Sequence, residues 1–65
     1  MVIDFDHATT EEVALAYIRV TYANKGKIRA AVVRGGRIRC ELHGGVVIEA
    51  ESPEALEAIL LVQKF

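Results

Sequence analysis

Apolar positions recur every second residue in some stretches of this chain and every third or fourth in others. In Val2 to Phe5 the alternation sets Ile3 and Phe5 on one side and Asp4 and Asp6 on the other, which predicts a short strand. A helical period then takes over from about Thr10 to Ala23 or Asn24. Thr9-Thr10-Glu11-Glu12 reads as its capping box, with the Thr9 hydroxyl accepting from the third helical amide and Glu12 reaching back. Asn24 and Gly26 tolerate the left-handed backbone that closes a helix. Period two returns near Lys27 to Val33, Arg37 to Leu42 and Val46 to Ala50. Ser52-Pro53-Glu54 opens a second helix, with a serine cap, proline at the first helical position and an early acid, running to about Gln63.

The order β-α-β-β-β-α belongs to the α+β class, as a two-layer α/β sandwich with both helices on one face of a four-stranded mixed sheet. An antiparallel meander supplies three strands, and a right-handed crossover makes the N-terminal strand parallel to the second. It is placed beside the second strand because Asp4 and Asp6 then neighbour Lys27 and Arg29, whereas beside the fourth they would face Glu49 and Glu51.

Register follows from the two glycine pairs. Reading Arg34-Gly35-Gly36 and His43-Gly44-Gly45 as three-residue loops pairs Val32 with Ile38, Ala30 with Cys40 and Ile28 with Leu42. On the other hairpin Leu42 meets Val46, Cys40 meets Ile48 and Ile38 meets Ala50. All inward pairs are then apolar, whereas a two-residue Gly-Gly turn shifts the pairing by one and mixes the faces. Outside, the same register sets Arg29 against Glu41, Arg39 against Glu49 and Arg37 against Glu51.

Both helices carry more apolar surface than one sheet can cover. Val13, Ala16, Tyr17 and Val20 make an inner stripe on the first, yet Leu15, Ile18 and Tyr22 form another on nearly the opposite side. On the second, Leu56, Ile59 and Leu60 face in, while Ala58, Leu61, Val62 and Phe65 face out. At 65 residues this is one domain, spanning 1–65, and a core that small yields a net stability of only about 3 to 5 kcal/mol. With one cysteine and no zinc-spaced ligand set, neither disulfide nor metal adds to it. The expectation is a homodimer whose interface holds Leu15, Ile18, Tyr22, Leu61, Val62 and Phe65. The alternative is that the helices cover each other's flanks.

The net charge is −1, but Arg19 to Arg39 holds seven of the eight basic residues and none of the nine acids. Lys25, Lys27, Arg29, Arg34, Arg37, Arg39 and His43 are therefore the candidate contacts to a partner, either another protein or nucleic acid. Apart from its first strand, the element order resembles that of double-stranded RNA-binding domains. Ser52-Pro53-Glu54-Ala55 stands where those domains open their last helix with lysines, and the strands of the meander carry no aromatic residue for stacking bases.

Candidate chemistry is sparse. Asp4, Asp6 and His7 at a strand's carboxyl end suit an oxygen-rich ion, but also suit solvated strand-end residues; no metal site is assigned. Cys40 and His43, three apart on a strand, point to opposite faces and can neither chelate one ion nor form a nucleophilic pair. Cys40 is read as a small core residue. No phosphate-loop, dinucleotide or HExxH motif occurs, so no enzyme, cofactor or small-molecule substrate is expected. The longest apolar run, Ala58 to Val62, is too short to span a bilayer, and the acidic start MVIDFD is unlike an export signal, which points away from membranes and toward the cytoplasm. The reading is a small homodimeric protein-binding module, a regulator, inhibitor or assembly factor. Nucleic-acid binding through the basic sheet face is the first alternative. A designed or artificial chain is the second, since both helix starts follow design rules.

Overall fold

A computed structural model describes residues 1–63; Phe65 of the expected outer stripe lies outside the described residues. The elements are β1 (Val2–Phe5), α1 (Glu11–Ala23), β2 (Ile28–Arg34), β3 (Arg37–Leu42), β4 (Val47–Ala50) and α2 (Pro53–Val62). The sheet runs β1-β2-β3-β4, with β1 parallel to β2 and the remaining pairs antiparallel, as expected. Tyr17 from α1 and Leu56 and Leu60 from α2 fill one core with Ile28, Ala31, Val33, Ile38, Cys40, Leu42 and Ala50 of the sheet. Both helices therefore cover the same face, and the other is open.

The helix ends follow local chemistry with two departures. Ser52 caps α2, its hydroxyl accepting from the Ala55 amide at 3.1 Å. At α1 the cap is Thr10, not Thr9: the Thr10 hydroxyl accepts from the Val13 amide at 3.3 Å, because the Thr9 hydroxyl is taken by the Asp6 carboxylate. The C-terminus of α1 closes without a left-handed residue. Asn24 has φ −117°, its amide bonds back to the Thr21 carbonyl at 3.1 Å, and its side chain donates to the Val20 carbonyl at 2.9 Å. Thr21 is buried although polar, since its hydroxyl donates to the Tyr17 and Ile18 carbonyls of its own helix.

The β3–β4 register is the expected one: Ile38 opposes Ala50, Cys40 opposes Ile48, and the Leu42 amide bonds the Val46 carbonyl at 2.7 Å. The β2–β3 register is not. Gly35 and Gly36 alone form the turn, both at positive φ (58° and 79°), as a type I′ turn requires, and this turn matches the twist of the flanking strands. Arg34 therefore opposes Arg37, Val33 opposes Ile38, Ala31 opposes Cys40 and Val32 opposes Arg39. A bulge at Arg29, between Ile28 and Ala30, restores the Ile28–Leu42 pair. Ala31 and Val33 thus enter the core, and Ala30 and Val32 face outward, the reverse of the three-residue reading.

Candidate partner-binding surface

The open sheet face is built from rows that cross the strands. Asp4, Val32, Arg39 and Glu49 form one row, and Val2, Ala30, Glu41 and Val47 the next. Arg34 and Arg37 close the face at the turn end, where Glu51 reaches Arg37 at 3.8 Å. Arg29 reaches Glu41 at 3.5 Å even though the bulge moves it off direct opposition. Both contacts are solvent-exposed, and pairs of this kind contribute about 0.2–1 kcal/mol. Arg39 lies opposite Glu49 in the ladder, and among the described residues no ion pair within 4 Å joins them.

Two shallow hollows share Val32 and Arg39 as common walls. One, of about 430 Å³, is lined by Val32, Arg34, Arg37, Ile38, Arg39 and Glu49. The second, of about 260 Å³, is lined by Ala30, Ala31, Val32, Arg39, Glu41 and Val47. Together they make a groove that is cationic at the turn end and apolar farther down. Had the first hairpin been three residues long, Ala30 and Val32 would have been buried and this floor would not exist.

The basic residues do not form one patch. Arg34 and Arg37 sit at one end of β2 and β3, while Lys25, Lys27 and His43 sit at the other, where the His43 amide bonds the Lys27 carbonyl at 3.1 Å. Seven residues of strand at about 3.3 Å each separate the two ends by roughly 23 Å. Arg34 at the end of β2 and His43 in the β3–β4 loop therefore lie at opposite ends of the sheet. Arg29, at the bulge, belongs with the Lys27 end and is engaged by Glu41.

The arginine end is held rigidly by contacts that alternation along the chain does not reveal. One Asp6 carboxylate oxygen accepts from the Gly35 amide at 3.1 Å and the other from the Thr9 hydroxyl. From the opposite side the buried Tyr17 donates its hydroxyl to the Gly36 carbonyl at 2.5 Å. The turn is thus clamped through both of its glycines. The Thr9 hydroxyl first, then the Gly35 amide, hold the Asp6 carboxyl below its ordinary 3.8, and nearby Arg34 adds to the effect. The placement of Asp6 corrects the reason given for seating β1 beside β2. In the parallel register Asp4 lies beside Val32 and Asp6 reaches the turn, so neither carboxylate neighbours Lys27 or Arg29.

Asp4 and His7 are exposed and Asp6 is occupied by its two donors. Cys40 is fully buried, and burial pushes its thiol up to about 11, while His43 sits in the exposed β3–β4 loop. Among the described residues no group of three or more His, Cys, Asp or Glu side chains is placed to hold a metal ion.

On the helical side Leu15 (53%), Tyr22 (59%), Leu61 (78%) and Val62 (75%) are more than half exposed, and Ile18 is half-buried. A groove between the helices, lined by Ala16, Arg19, Val20, Ala23, Pro53, Glu54 and Glu57, divides this surface. At 100° per residue, Leu15, Ile18 and Tyr22 lie on the flank of α1 turned away from that groove. The exposed apolar side chains thus lie along α1 (Leu15 and Tyr22) and at the end of α2 (Leu61 and Val62). No described helix is long and apolar enough to cross a membrane. Comparisons with protein-family models, curated proteins and solved structures find no match.

Proposed function

We propose that this protein is a small, non-enzymatic, cytoplasmic binding module that pairs with a second copy through its helical side and holds another protein on its open sheet face. The carrying observation is the division of labour between the two sides. Four large apolar side chains stand more than half exposed on the helices, and the opposite face presents a rigid, arginine-rimmed groove with an apolar floor. Covering each large apolar side chain is worth at most about 1.5–3 kcal/mol, a substantial share of what a domain this small has in reserve. A second copy supplies that cover without a new sequence.

A protein partner is favoured over nucleic acid because the sheet face interleaves Glu41, Glu49 and Glu51 with its arginines and carries no aromatic side chain. Sedimentation equilibrium across a dilution series tests the pairing. A dimer is expected, converted to folded monomer by Leu15→Glu or Leu61→Glu; a well-folded wild-type monomer at all concentrations refutes it. Heparin and DNA columns test the partner class, and retention that weakens steeply with salt would transfer the face to nucleic acid.

A further inference from the structure

The tight Gly35-Gly36 turn has an electrostatic consequence. It sets Arg34 directly across from Arg37, a like-charge pair of the kind that destabilises a sheet. Arg39, two residues along the same face, completes a hollow lined by three arginines and one acid, Glu49. Of the neighbouring acids, Glu51 touches Arg37 only as an exposed pair that a partner's carboxylate can replace, and Asp6, held by the Thr9 hydroxyl and the Gly35 amide, acts on Arg34 from the turn. The clamp by Asp6 and Tyr17 keeps the two facing arginines from relaxing apart by moving the turn.

We infer that this groove binds an extended acidic segment of a partner protein, with the pattern acid-x-acid-x-apolar. The inference rests on the protein-binding reading above and names the partner's chemistry. An extended chain places alternate side chains on one side at about 6.6 Å intervals, the spacing of Arg37 and Arg39 along β3. Its first carboxylate meets Arg34 and Arg37, its second meets Arg39, and the apolar side chain two residues on reaches the floor of Ala30, Val32 and Val47. Glu41 at that lower end turns away a third acid. Arginine suits the task, since its planar fork takes a carboxylate through two hydrogen bonds. A nucleic-acid backbone, charged along its whole length, would run into Glu41.

The test uses fluorescein-labelled Thr-Glu-Thr-Glu-Thr-Leu-Thr, followed by anisotropy on the full chain at low salt. Saturable binding is expected, weakened at least about tenfold when both glutamates become glutamine, since each lost charged contact of about 1.4 kcal/mol is a factor of ten. Arg34→Gln and Arg39→Gln should each weaken it about fivefold or more with an unchanged circular dichroism spectrum, while Lys25→Gln, at the far end, leaves it as it was. Two outcomes overturn the inference: equal affinity for the glutamate and glutamine peptides, or binding indifferent to Arg39→Gln. A seven-nucleotide single strand that displaces the peptide at lower concentration, and is itself lost in the same variants, would assign the groove to phosphates and overturn it as well. Failure of the peptide together with no retention on DNA or heparin removes the acidic segment alone and leaves the protein-binding reading standing.

Discussion

Two neighbouring valines provide the sharpest test of the fold. Val33 is fully buried against the helices, whereas Val32 faces the open side of the sheet opposite Arg39. Truncating Val33 to alanine removes two methyl groups from the core, about 1.6 kcal/mol of transfer free energy. The cavity left behind adds up to about 1 kcal/mol more. Val33→Ala should therefore destabilise by about 2 to 3 kcal/mol, roughly half of what a domain of this size holds. Val32→Ala loses the same β-propensity and, at a half-buried position on the open face, less burial, and should cost about 1 kcal/mol. The pair is internally controlled, since chemistry, strand and sequence neighbourhood are shared and only the side of the sheet differs. Urea titrations followed by circular dichroism at matched protein concentration measure both, and the thermal midpoints should separate by roughly 4–8 °C per kcal/mol. Equal losses, or a larger loss at Val32, would mean that the turn has three residues after all and that the groove floor is misassigned.

The Asp6 clamp should appear in the acid limb of stability. Its carboxyl titrates below 3.8 when folded and near 3.8 when unfolded, so its contribution is complete above about pH 5 and is lost as pH falls through 3.8 and then through the lower folded value. Asp6→Asn should lower the midpoint at pH 6 and flatten its fall between pH 4 and pH 2; a variant that keeps the wild-type acid slope would remove Asp6 from the turn. Cys40, buried and with its thiol pushed up to about 11, should resist a disulfide reagent at pH 8 in the folded protein and react only as the domain opens. Labelling at the rate of a free thiol would contradict its place in the core.

The elements themselves were legible because their signals are local. The serine and proline opening α2, the alternation of Ile3 and Phe5 with Asp4 and Asp6, and the apolar pairs of the β3–β4 hairpin each depend on residues close in the chain. The outward stripe on α1 was equally visible, since Leu15, Ile18 and Tyr22 repeat at helical spacing and remain uncovered or half-covered. The β2–β3 register was harder to read, because Ala30-Ala31 and Val32-Val33 are pairs of identical residues and alternation has nothing to distinguish. A glycine pair between two strands is nonetheless a signal for the two-residue turn, and the bulge at Arg29 reconciles that turn with an apolar core.

The sequence alone determined a four-stranded mixed sheet with two helices on one side, because hydrophobic period and end-capping act within a few residues. Tertiary structure decided which face each valine of β2 takes, that Asp6 and Tyr17 both grip the turn, and that the basic residues crowded along the chain are parted, Arg34 and Arg37 to one end of the sheet, Lys25, Lys27 and Arg29 to the other, and Arg19 to α1. These outcomes depend on where distant segments meet. A shift of one residue at a single turn exchanges the two faces of a strand, and no local preference is large enough to forbid it.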